Sequence, residues 1–98
     1  MSTPEFNFKY LKEHATAGSW RRGYEYYTKD MILESYPEKN FYMGKVKGSF
    51  QDSYNTDLIF KKNKVEARCN CPLKEEWCKH AVAVALKAIN EHAYEDWL

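Results

Sequence analysis

The stretch Cys69-Asn70-Cys71-Pro72-Leu73-Lys74-Glu75-Glu76-Trp77-Cys78-Lys79-His80 holds all three cysteines of the chain and one of its three histidines. A Cys-x-Cys pair and a Cys-x-His pair are separated by six residues. Three thiolates and one imidazole are soft to borderline donors, which suit zinc; calcium and magnesium take oxygen ligands. Cys69, Cys71, Cys78 and His80 are therefore the candidate metal ligands, and Zn2+ is the predicted cofactor. A disulfide is the alternative, but it leaves one thiol over and makes the matching spacing of His80 a coincidence.

The same spacing predicts local structure. Cys69 and Cys71 are two apart, so on an extended strand both side chains leave from one face. Pro72 cannot donate to a ladder and should end that strand. Cys78 and His80 are also two apart, an offset that separates them on a regular helix. They meet one ion only if Cys78 precedes the first turn and a helix begins there. The site then clasps the end of a strand to the start of a helix. Four protein ligands leave no open coordination position, so the metal is expected to be structural.

Working upstream, the grammar is that of strands. Val65, Ala67, Cys69 and Cys71 share one face, with Glu66 and Arg68 on the other. Lys62-Asn63 reads as a tight turn. Tyr54, Thr56, Leu58 and Phe60 alternate against Asn55, Asp57 and Lys61. Residues 41–49 alternate with Tyr42, Gly44 and Val46 on one side and Lys45 and Lys47 on the other. Residues 31–36 are apolar and branched and should stop at Pro37. The prediction is a four-stranded antiparallel meander, polar on one side.

Two helices are expected before the strands. Thr3-Pro4-Glu5 has the residues of a helix start, with failure expected near Gly18 and His14 on the surface. Ser19 would cap the second helix. There Trp20, Tyr24, Tyr27 and Met31 recur at helical offsets and should pack on the sheet, with Arg21 and Arg22 beside them. Gly23 inside that helix suggests close packing. The last helix is expected from Trp77 to Ala93, with Val82, Leu86 and Ile89 inward and Val84 partly exposed. Fold class is thus α+β: two N-terminal helices, the meander and a C-terminal helix, with structural zinc between the last strand and last helix.

The Cys69-x-Cys71, Cys78-x-His80 pattern, followed by the apolar run Ala81 to Leu86, resembles the SWIM-type zinc finger. Arg22-Gly23-Tyr24 with Tyr26-Tyr27, then Val46-Lys47-Gly48-Ser49 and Tyr54, is similar to the segment that precedes the finger in bacterial and archaeal members. The resemblance runs from about Ser19 to Leu86. It implies binding to DNA or to a protein partner, such as a helicase-like ATPase or a recombination factor. The expected organisation is one domain over residues 1–98: a helical extension (1–18), a helix with strands (19–64) and the finger proper (65–93).

Composition narrows the function classes. At 98 residues the chain is one domain with a modest core, and 16% aromatics, including eight Tyr and three Trp, suggest a core of large rings. The net charge of +1 becomes neutral once three thiolates and a divalent ion are counted, so no strong basic field steers a polyanion. The start is polar and acidic, unlike a secretory leader, no apolar run spans a membrane, and zinc thiolates suit a reducing interior; the cytoplasm is the expected location. No paired carboxylates, Gly-rich phosphate loop or Ser-His-Asp pattern points to an enzyme, and no small-molecule substrate is expected.

Two binding readings compete. For DNA, the candidate phosphate contacts are Lys45 and Lys47 on the sheet, Lys61, Lys62 and Lys64 at the hairpin, Arg68 and Lys79 beside the metal, and Lys74 between the ligand pairs. Asp57, Glu66, Glu75 and Glu76 lie among them and could simply neutralise them. For a protein partner, exposure of Trp20, Trp77 or Trp97 would be the supporting feature.

Overall fold

The computed structural model describes residues 8–38, 40–48, 52–61, 64–72 and 76–90. The expected start at Thr3 and the residues Ala93 and Trp97 lie outside them. The order of elements is α1 (Phe8–His14), α2 (Ala17–Thr28), β1 (Ile32–Glu38), β2 (Phe41–Lys47), β3 (Ser53–Phe60), β4 (Val65–Cys69) and α3 (Lys79–Asn90). The strands form one antiparallel sheet in the order β1-β2-β3-β4. This is the α+β meander that the alternating patterns predict.

The register sorts side chains by chemistry. Tyr42 and Val46 of β2, Tyr54, Thr56, Leu58 and Phe60 of β3, and Val65 and Ala67 of β4 are buried. Their neighbours in sequence stand on the opposite face, as a period of two requires. A register shift between Ile32 and Glu34 turns Leu33 outward, where it is 53% exposed. β1 runs past Pro37 to Glu38, farther than expected. The strand is at the sheet edge, where a missing N–H breaks no further ladder.

α3 lies between two layers. A Cβ built on Gly44 of β2 would come within 2.7 Å of Val84, so this valine packs on the sheet. A Cβ on Gly23 of α2 would come within 2.5 Å of Val82, so the opposite side of α3 packs on α2. His80 through Leu86 and Ala88 are all buried. The partial exposure expected for Val84 is therefore wrong, because α3 is covered on both sides and not only by the sheet.

α2 also differs from expectation. Thr16 is its N-cap, with its hydroxyl accepting the Ser19 N–H at 3.1 Å, so Gly18 sits inside the first turn instead of ending α1. The helix packs on α3, not the sheet, at Gly23, and the residues it buries are the small Ser19 and Gly23. Close approach of two backbones favours small side chains, and the large rings are displaced to the flanks. Tyr24 is 49% exposed and Trp20 is half-buried. α1 buries Leu11, and its Tyr10 hydroxyl accepts the Val65 N–H at 3.0 Å, covering part of the β4 edge.

Candidate metal centre

β4 ends at Cys69, and the chain bends away through Asn70 and Cys71. Asn70 holds that bend against β3: its Oδ1 accepts the Asn55 N–H at 2.9 Å, and its own N–H donates to the Asn55 carbonyl at 3.2 Å. Cys71 therefore lies just beyond the strand. On the other side, the Cys78 carbonyl accepts the Val82 N–H at 2.9 Å, which makes Cys78 the residue that opens α3. His80 follows in the first turn. This is the arrangement that the two-residue offset demands.

The four donor atoms lie within 4.8 Å of one another. His80 Nδ1 is 3.6 Å from Cys69 Sγ and 3.9 Å from Cys78 Sγ, and Cys71 Sγ is 3.8 Å from Cys78 Sγ. Bonds of about 2.3 Å to sulfur and about 2.0 Å to nitrogen in a tetrahedron give edges of about 3.8 Å for S···S and about 3.6 Å for S···N. These three edges match that polyhedron, and the remaining ones do not exceed 4.8 Å. A disulfide needs sulfurs at about 2.05 Å, so Cys71 and Cys78 are not bonded, and none of the three cysteines is in a disulfide.

The histidine supplies an independent test of fit. Nδ1 is turned to the sulfurs, and Nε2 points away from them; it is buried and has no hydrogen-bond partner among the described residues. Tyr26 packs edge-on against the imidazole with centroids 5.4 Å apart, and Tyr54 lies at 4.9 Å. This cage fixes the ring by shape, and Nδ1 is left for a metal. The sulfurs agree. A hydrogen bond from Cys78, together with the His80 and Thr56 contacts, draws the Cys69 thiol down to about 3 against its burial. Cys78, which keeps the shared proton and is buried, is pushed far up. The cluster thus holds one thiolate readily and resists the next; a divalent cation removes that resistance. The residues present fit zinc, held by Cys69, Cys71, Cys78 and His80.

Several supporting groups were not singled out by sequence. Thr56 Oγ1 lies 3.3 Å from Cys69 Sγ, Tyr54 and Tyr26 pack on His80, and Glu76 accepts the Ala67 N–H at 3.2 Å. Thr56 carried a legible signal, being a small hydroxyl residue on the inward face of β3 among Tyr54, Leu58 and Phe60. Tyr26 carried none, since its role depends on how α2 crosses α3.

The candidate phosphate contacts divide. Lys61 and Lys64 both bind Glu66 at 3.2 Å and hold its carboxyl below the usual range, while Lys45 pairs with Glu34 at 3.3 Å. Lys79 lies over the Tyr26 ring at 5.2 Å. Lys47 and Arg68 are exposed on the outer sheet face, Arg68 in register with Asp57. Burial and the nearby Cys69 raise the Asp57 carboxyl, and Arg68 opposes them. Lys62 and Lys74 lie outside the described residues. Of the tryptophans, Trp77 is buried and Trp20 half-buried.

No helix among the described residues is long and apolar enough to cross a membrane. No curated protein and no solved structure shows significant similarity to the chain. The SWIM zinc finger family model matches residues 52–89. That span runs from the start of β3 through the four ligands to the end of α3, and with the tetrahedral donor set inside it this chain carries a SWIM zinc finger.

Proposed function

We propose that the protein is a zinc-stapled module that binds nucleic acid, in the first place DNA, in the cytoplasm, as an accessory to a larger DNA-processing assembly. The observation that carries the reading is the closure of the metal centre. Four protein donors fill a tetrahedron, and none of the coordination sphere is left for water or substrate. The metal then serves to hold α3 to β4, and function falls to the surface of the fold. Lys47, Arg68 and Lys79 have no carboxylate within ion-pair distance among the described residues and remain available for phosphate.

A protein partner is the second reading. Tyr36 and Phe41 are 53% and 38% exposed on the outer sheet face, bordered by the Lys45–Glu34 pair and the Glu66 lysines. Aromatic residues within a polar rim suit a protein interface. Anisotropy titration of the zinc-loaded chain with single- and double-stranded DNA at low salt decides between them. Salt-sensitive binding supports the first reading; no binding to either form removes it in favour of the second.

A further inference from the structure

The two N-terminal helices hold the charge asymmetry of the chain. Lys9, Lys12, Arg21, Arg22 and Lys29 face only Glu13 and Glu25 between residues 8 and 29, a local charge of +3 in a chain of +1. All five cations are exposed, and none has a carboxylate within 4.0 Å among the described residues. On the sheet, by contrast, Lys45, Lys61 and Lys64 are neutralised by Glu34 and Glu66.

Aromatic rings lie among these cations. Phe8 of α1 is 45% exposed and Tyr24 of α2 is 49% exposed. Between them is Trp20, 6.1 Å from Phe8 and 6.2 Å from Tyr24 by ring centroid. Lys12 holds its ammonium 5.3 Å above the Trp20 ring. Arg21 is three residues before Tyr24 and so neighbours it on the helix surface. The small residues at the α2–α3 contact explain why these rings are outside: Ser19 and Gly23 take the buried positions.

We propose that the α1–α2 surface, centred on Trp20 and Tyr24 with Lys12 and Arg21 beside them, binds single-stranded nucleic acid. The rings stack on unpaired bases and the cations hold the phosphates. Stacking needs bases freed from pairing, and the unneutralised charge selects a polyanion over an apolar peptide. This deepens the nucleic-acid reading above and rests on it, but moves the contact from Lys47, Arg68 and Lys79 to the helices.

The test is anisotropy with a labelled oligothymidylate of about 20 nucleotides, longer than the roughly 4–16 that small single-strand-binding modules cover, and with a duplex of equal length. The zinc-loaded chain should prefer the single strand. Lys12→Glu with Arg21→Glu should weaken binding at least about tenfold and reduce the salt slope by about 1.4. Tyr24→Ser should weaken it about tenfold with the slope unchanged. All three side chains are exposed, so zinc content and the melting curve should hold; Arg21→Gln and Tyr24→Gln replace any variant that loses its fold.

If the wild type binds the oligothymidylate, but these changes are silent and Lys47→Glu with Arg68→Glu abolishes binding, the helical surface is wrong and the nucleic-acid reading stands. If neither nucleic acid binds, that reading fails and this one with it. Tighter binding to the duplex, indifferent to Tyr24→Ser, overturns the stacking role.

Discussion

Thr56 Oγ1 lies 3.3 Å from Cys69 Sγ, and the two residues face each other in register across β3 and β4. A thiolate only accepts hydrogen bonds, so with zinc bound the hydroxyl is the donor. Such partners orient a ligand and set its basicity. Thr56→Val keeps the branched shape on a buried strand position and removes only the donor. Zinc affinity should fall about tenfold, at the low end of what outer partners are worth. Competition with a chromogenic chelator measures it; an unchanged affinity shows that the contact is incidental.

Removal of a ligand should reach further. Cys78 binds the metal and opens α3, so Cys78→Ser loosens the joint between the sheet and the central helix. The chain should lose its single equivalent of zinc on dialysis, and the melting temperature should fall by more than about 10 °C, because metal binding is folding free energy here. Excess chelator on the wild type should produce the same loss. A metal-free chain with an unchanged melting curve contradicts the structural role.

The metal site was legible because its logic is local. An offset of two between cysteines on an extended chain, and the same offset between Cys78 and His80 at a helix start, each admit one geometry. The meander was legible for the same reason, as a period of two read along Tyr42-Gly44-Val46 and Tyr54-Thr56-Leu58-Phe60. The packing of α2 was not. Trp20, Tyr24 and Tyr27 form a convincing apolar face in one dimension, yet Gly23 and Ser19 decide the contact, because α3 needed a partner at close range. Val84 was misread for the same reason, since a helix covered on two sides has no polar face. That an acid such as Glu66 could neutralise the hairpin lysines was legible, but that Glu66 engages both Lys61 and Lys64 was not, because it depends on side-chain reach across the hairpin.

Zinc retention should depend on pH with a defined sign. Cys69 has an ordinary thiol value of 9.0 and is drawn down to about 3 in the fold. A depressed acid contributes its full stability above the ordinary value and loses it progressively as pH falls toward the depressed one. Protons also compete with the metal for every thiolate and for His80. Release of zinc to a chelator should therefore increase steadily on acidification from pH 9, and never on alkalinisation over the same range. Release that is constant across this window contradicts thiolate ligation.

Gly23 tests the α2–α3 contact. A Cβ there would lie 2.5 Å from both Cβ and Cγ1 of Val82 and 2.9 Å from the Lys79 carbonyl oxygen. The first two atoms are on a branched side chain packed in the core and the third is backbone, so neither yields easily. Alanine is the better helix former by about 1 kcal/mol in the absence of contacts. Overpacking of a dense core costs about 1–3 kcal/mol, and at these distances it should win. Gly23→Ala should lower the melting temperature, and adding Val82→Ala should restore part of the loss. A more stable Gly23→Ala would mean that the helices separate freely.

The end of α2 offers the opposite outcome. The Met31 N–H donates to the Tyr26 carbonyl at 3.0 Å and the Asp30 N–H to the Tyr27 carbonyl at 3.1 Å, the paired bonds of a Schellman cap. Asp30 is the residue past the cap, and its φ of 58° is in the left-handed region. An L side chain there costs roughly 1–2 kcal/mol, somewhat less for aspartate, whereas glycine adopts the angle freely but loses about 0.5–1 kcal/mol more backbone entropy on folding. Asp30 is exposed, so no packing is lost with its side chain. It also places a negative charge at the negative end of the helix dipole, which glycine removes. The balance favours Asp30→Gly by roughly 0.5–1 kcal/mol, a rise of about 2–8 °C in melting temperature for a chain of this size. Asp30→Ala, which keeps the strain and removes the same charge, should gain much less; equal gains for the two would assign the effect to charge and not to backbone angle.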